Sequence, residues 1–340
     1  MKRIAVTLAS SLALLLSGIA NAASPFTLQK AISLPGIQGK FDHFAIDFEG
    51  RRLFVAATGN HSVEVIDLAT GKVAQSITGL GKPHGLAWQA TSKTLYVSDG
   101  TQRNLQEYEG NPLKLAGKIA LSNDADDMVL NPATHLLYVG HGGSGAANPG
   151  RVAVVDTASF TLKADIPVAT HPEALDLDPG GNRIFANIAD SSEVAVIDGN
   201  TNKITANWKL TKASDNVPVA YDAADNILYL AARTPASVIA LDAATGRELS
   251  RASSAAGADD LFYDDSLHRV YLVAGGGEVD VYHAAAKAPL HSIGVLPTEP
   301  GAKTALFVPS INTLFVGIPS ANGHSAEIRV YATNGAKGEQ

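Results

Sequence analysis

The sequence has no cysteine. That excludes disulfides, a lipid-bearing cysteine, a thiol nucleophile and covalent haem attachment through C-x-x-C-H. Charge is sparse, at 17% of residues, and beyond the opening residues no basic cluster exceeds the pair Arg51 and Arg52. Phosphate backbones are attracted by basic stripes, so general nucleic-acid binding is not expected. The chain also lacks G-x-S-x-G and H-E-x-x-H, which removes the usual signatures of a serine hydrolase and a zinc protease.

What is present begins with MKRIAVTLASSLALLLSGIANA, in which Lys2 and Arg3 precede an apolar stretch and the small residues Ala20 and Ala22 flank Asn21. This pattern reads as a secretory signal peptide over residues 1–22, too short and wrongly flanked to stay as a membrane span. Cleavage after Ala22 would deliver a soluble protein to the periplasm or outside the cell. Without Lys2 and Arg3, 24 basic residues face 33 acidic ones, a net charge near −9.

An apolar residue, an aromatic and usually Val recur as LFV (53–55), LYV (95–97), LYV (137–139), IFA (184–186), LYL (228–230), VYL (270–272) and LFV (314–316). The spacings are 42, 42, 47, 44, 42 and 44 residues. A short apolar segment precedes each phrase, from HFAID (43–47) to TALFV (304–308). After it come hairpins such as SVEVIDLATGKV (62–73) and EVAVIDGNTNKI (193–204). The aspartates Asp67, Asp156, Asp198 and Asp242 suit the turn mouth, where a carboxylate accepts the backbone N–H two residues on.

Four antiparallel strands per unit of about 40–45 residues is the arithmetic of a propeller blade. The pattern predicts an all-β, seven-bladed β-propeller over residues 23–332, followed by a disordered tail, 333–340. The last unit lacks its fourth strand, and FTLQKAISL (26–34) is expected to supply it, so that the N-terminal strand closes the ring in the last blade. A β-helix would repeat at shorter intervals. A membrane barrel would carry aromatic girdles, and aromatics are 6% here.

The phrases LYVSDG, LYVGHG and LFVAAT with the VID-type hairpins resemble the YVTN-type repeat family of exported seven-bladed propellers. The resemblance covers the chain from about Phe26 to Tyr331, without the literal Tyr-Val-Thr-Asn. It implies the fold and export, and it names no ligand, since that family includes binding proteins and proteins of unknown role.

In a propeller the innermost strands start around one channel mouth. Eleven residues before each aromatic phrase stand Asp42, His84, Asp126, Glu173, Val217, Asp259 and Lys303, with His43, Asp127, His171, Asp215, Asn216 and Asp260 as neighbours. Loops between the second and third strands should open on the same face and add His61, Asp99, Arg103, His141, Arg233 and His324. The longest of them, GHGGSGAANPGR (140–151), is a Gly-rich rim loop without the Lys-Ser/Thr of a phosphate-binding loop.

Crowded carboxylates raise one another's pKa unless a cation neutralises them. Three readings of the ring stand together. Its Asp and Asn residues cap turns; or the mouth binds a small molecule or a protein; or it holds a divalent cation, Ca²⁺, Mg²⁺ or a transition metal, on Asp42, His84, Asp126, Glu173 and Asp259. The leading expectation is a monomeric, non-catalytic binding propeller. The alternative is a metal-dependent lactonase-like hydrolase or lyase, with His84 or Glu173 as the base. A quinoprotein propeller is disfavoured, because only Trp88 and Trp208 are available for blade docking.

Overall fold

Each recurrence of the aromatic phrase forms the second strand of a four-stranded antiparallel sheet, and seven such sheets follow one another around the chain. In blade 1, strand a is Phe44–Asp47, b is Arg52–Ala57, c is Ser62–Asp67 and d is Lys72–Ile77. The protein is an all-β, seven-bladed β-propeller. The computed structural model describes residues 24–335 except 144, 146, 147, 286, 287 and 322. The expected signal peptide therefore lies outside the described residues, as do positions 336–340 of the expected tail. Among the described residues, no helix is long and apolar enough to cross a membrane.

The hairpin aspartates act as their position demands. Asp67 Oδ1 accepts the N–H groups of Ala69 at 2.8 Å and Thr70 at 2.9 Å. Asp156, Asp198 and Asp242 repeat the arrangement. These backbone donors hold all four carboxyls below the ordinary range.

The seven phrase aromatics, Phe54, Tyr96, Tyr138, Phe185, Tyr229, Tyr271 and Phe315, are all buried. They belong to seven apolar clusters, one between each pair of neighbouring blades, as where Phe54 and Val65 meet Leu95 and Val97. The core is thus a ring of wedges around an axis that carries cavities. Phe185→Ala in one wedge is expected to cost about 3–5 kcal/mol. That should appear as a lower urea midpoint, and an unchanged midpoint would mean that the wedge collapses around the gap.

The ring closes as expected from the sequence. Phe26–Leu34 pairs antiparallel with Ala326–Thr333, from Phe26 opposite Thr333 to Leu34 opposite Ala326, and becomes strand d of blade 7. Strand c of that blade thus ends at Thr333, one residue past the expected boundary. Just beyond it, Asn334 donates its side-chain N–H groups to Ser24 O at 3.0 Å and Thr27 Oγ1 at 2.8 Å.

Candidate functional site

Successive side chains of a regular strand point to opposite faces. Near the start of strand a this alternation fails. The a–b pairing slips between Pro83 and Leu86, Pro172 and Ala174, Asn216 and Val219, and Ala258 and Asp260. In blades 1 and 3 two residues oppose one. Asp42 N–H donates to Ala56 O while Ala56 N–H donates to His43 O, and Asp126 and Asp127 share Gly140 in the same way. Such bulges re-aim side chains. Here they let consecutive residues both face the axis.

All seven ring positions, Asp42, His84, Asp126, Glu173, Val217, Asp259 and Lys303, line one cavity of about 240 Å³ together with His43, His171 and Arg233. Asp127 and Asp260 lie one step deeper, in a second axial cavity that His43 also touches. Each of these two carboxylates also clips its blade to the next. Asp127 Oδ2 accepts Leu175 N–H at 2.9 Å, and Asp260 Oδ2 accepts Ala305 N–H at 2.7 Å.

The mouth pairs opposite charges all round its rim. On one side Asp42 Oδ2 lies 2.7 Å from His84 Nδ1, which is 3.4 Å from Asp126 Oδ1. Burial pushes Asp42 up, but the His84 hydrogen bond and the charges of His43, His84 and Lys303 outweigh it and hold the carboxyl well below its usual range. His43 stands 3.4 Å from Asp260, 3.6 Å from Asp42 and 3.9 Å from Asp127. Burial disfavours its charge, yet these carboxylates raise it well above the ordinary histidine value. These carboxylates favour the charged form of His43.

His171 is held from both ends, with Nδ1 2.6 Å from Gly142 O in the rim loop and Nε2 3.3 Å from Asp126 Oδ2. Against the cost of burial, Asp126 and Glu173 bring it up to about 9. Gly142 has φ +87°, and a Cβ there would collide with Pro149 O, so the loop needs glycine at this point. Glu173 has no hydrogen-bond or ion-pair partner among the described residues, and burial pushes its carboxyl up.

On the other side a single carboxylate serves two cations. Asp259 accepts Lys303 Nζ at 2.6 Å and Arg233 Nη2 at 2.9 Å. Burial pushes Asp259 up to about 6 although Lys303 pulls it down, and Asp259 in turn raises Lys303 against its own burial.

Several sequence candidates stand elsewhere. Asn216 is fully buried, and its Nδ2 donates to Glu193 O at 3.0 Å inside the blade interface. His141 is buried behind the mouth, accepting Ser122 N–H at Nδ1 and meeting Asp165 through Nε2 at 3.0 Å, where burial lowers its pKa. Arg103 is exposed on a left-handed turn at φ 58° and does not line the mouth cavity. Asp99 accepts the N–H groups of Gly81, Lys82 and Gln102 and so shapes the connection that delivers His84. Asp215 reaches Arg233 at 3.8 Å, His61 binds Gly81 O, and His324 stays on the exposed rim.

Lys40, Lys82 and Asp124 line the mouth as well and were not singled out from the sequence. Each lies two residues before a ring position, in the connection that leads into strand a. Two sets, Asp42–His43–Asp126 and Asp126–His171–Glu173, bring their ligating atoms within 4.8 Å of one another. A divalent cation would need His43 or His171 to give up its proton first.

No family model matches the chain, and no curated protein matches it. Solved structures do. The chain is similar to Kuenenia stuttgartiensis hydrazine synthase at TM-score 0.73 and 16% identity, over 83% of this chain and 95% of that one. It is also similar to a chain in the crystal structure of a mitotic checkpoint complex, at TM-score 0.76 and 13% identity over 98% of both chains. Two such unlike settings for one shape leave the likeness as evidence of fold alone.

Proposed function

We propose that the protein is an exported propeller of the YVTN-repeat type that binds a small polar molecule at its channel mouth and is not itself a catalyst. The observation that carries this is a cavity of about 240 Å³ lined almost entirely by ionisable side chains of both signs. Asp126 and Glu173 offer carboxylates on one side, while Arg233 and Lys303 converge on Asp259 at the other. A ligand with a cationic group and a carboxylate or similar anion matches both sides. The amphoteric mouth and seven-bladed scaffold support binding, and the leader-like N-terminus supports export to the periplasm or medium.

Calorimetry against a panel of free amino acids and small amino-acid-like zwitterions tests the reading. At least one is expected to bind, with Glu173→Gln and Lys303→Met each weakening it about tenfold or more, the loss of one charge-assisted contact. Arg103→Ala should leave it unchanged. Binding that ignores both mouth variants would remove the assignment.

A second reading is favoured by the two ligating sets that share Asp126. In it, a divalent ion there would polarise the carbonyl of a lactone or other cyclic ester. Metal analysis of protein purified without chelator, followed by turnover on a lactone panel, separates the readings. No bound metal and no turnover would end the second.

A further inference from the structure

The mouth occupies only the upper part of the axis. Below His43 lies a second cavity of about 440 Å³, inside the roughly 300–1,000 Å³ span of small-molecule sites. Its wall is built by the later residues of the strands a, and it extends to Tyr221, Tyr263 and Pro309 near the a–b turns, on the face opposite the mouth. The wall is apolar and aromatic, with Val129, Phe262 and Leu306 only partly covered although they sit at the centre of the molecule. Apolar surface left open at the centre of the fold marks a place for an apolar body.

The polar groups of this cavity have one sign in excess. Asp127, Asp176 and Asp260 face it, and His43 is its only basic side chain among the described residues. His43 is already engaged, 3.4 Å from Asp260 and 3.9 Å from Asp127. Asp176 stands apart from it, with Oδ1 accepting Leu177 N–H and Oδ2 accepting Tyr221 N–H, both at 2.7 Å. Apart from His43, no cationic side chain lines the cavity among the described residues, and Val129, Ala220, Phe262 and Leu306, which line it with Asp176, are apolar. Each Asp176 oxygen accepts one backbone N–H and so keeps a further lone pair, and the aromatic side chains Tyr221, Phe262 and Tyr263 line the same cavity, a setting that suits a cation.

We propose that this lower cavity is a separate binding site for a small organic cation with an apolar body, an aralkyl- or alkylammonium, with the ammonium at Asp176 and the body against Phe262 and Leu306. An anion is opposed by three carboxylates, and a neutral molecule of the same shape gains only the apolar part. Among the described lining residues, the site shares only His43 with the mouth.

Titration calorimetry with three shape-matched probes at about pH 8.5, above the value of about 7 to which burial pushes the Asp176 carboxyl, tests this. Phenethylammonium is expected to bind at least tenfold more tightly than phenethyl alcohol, and 3-phenylpropionate should not bind. Asp176→Asn should remove the advantage of the ammonium over the alcohol. Leu306→Trp, which fills the space without touching the charge, should abolish binding of both, and circular dichroism verifies that each variant folds. If Asp176→Asn does not fold, Leu306→Trp alone decides. Glu173→Gln addresses only the mouth, so loss of phenethylammonium with that variant would place the amine there and overturn the proposal. Equal binding of the three probes, no binding at millimolar concentration, or unchanged binding in Leu306→Trp would overturn it as well.

Discussion

Replacing Ile32 and Leu34 together with alanine is expected to abolish cooperative folding. Both side chains are buried, at 2% and 0% exposure, in the cluster that joins blade 7 to blade 1. Each truncation costs about 2–5 kcal/mol, and a whole domain has only about 5–15 kcal/mol to lose. Their strand is also the one that seals the sheet ring, so weakening it exposes the edge of Ala326–Thr333. Val73→Ala, on the exposed outer strand of blade 1, should change little. Thermal and urea unfolding followed by circular dichroism measure both variants. A double variant with a native-like transition would show that six blades hold the seventh without its closing strand.

The second large effect is an acid-shifted stability optimum. Burial brings Asp127 up to about 6 and Asp176 up to about 7 in the folded protein, against about 3.9 when unfolded. A group that holds its proton more tightly in the fold adds stability below its unfolded pKa and loses it as pH rises through the folded value. Stability should therefore fall from about pH 4 to 7 on account of these two carboxyls. His171, raised to about 9, extends the loss above the ordinary histidine range, and His43 acts in the same direction. Asp42 and Asp126 are held low, so their contribution is present above about pH 4 and disappears in stronger acid.

The melting temperature, measured in chelator from pH 3 to 10, is expected to peak at about pH 4–5 and to be lower at pH 8. Asp176→Asn should flatten the limb between about pH 4 and 7 without moving the alkaline one. A melting temperature that climbs from pH 5 to 8 would contradict the buried, proton-retaining state of these aspartates.

The architecture could be read because each blade repeats its own local chemistry. The aromatic of LYV marks strand b, the Asp of VID marks the c–d turn, and FTLQKAISL has the character of an outer strand with no partner nearby in sequence. A fixed offset from the aromatic phrase then located the ring from Asp42 to Lys303, since the offset absorbs the bulge without revealing it. What stayed hidden is the consequence of that bulge. Strict alternation cannot say that Asp259 and Asp260 both face the axis in different cavities, or that Asn216 turns instead to Glu193 O. Lys40, Lys82 and Asp124 had no signal except their place two residues before ring members. The lower cavity announced itself even less, because Val129, Phe262 and Leu306 look like ordinary core residues in sequence.

The register of the closing pair also sets how the molecule answers a pull. Phe26 lies opposite Thr333, and Asn334 is bonded to Ser24 and Thr27, so the two ends of the described chain leave the disc side by side. Tension applied between them peels the outer strand one rung at a time, beginning at the Asn334 latch, instead of sliding whole strands past one another. The disc is thus mechanically softest at its seam, while a tether on either end alone loads no rung at all.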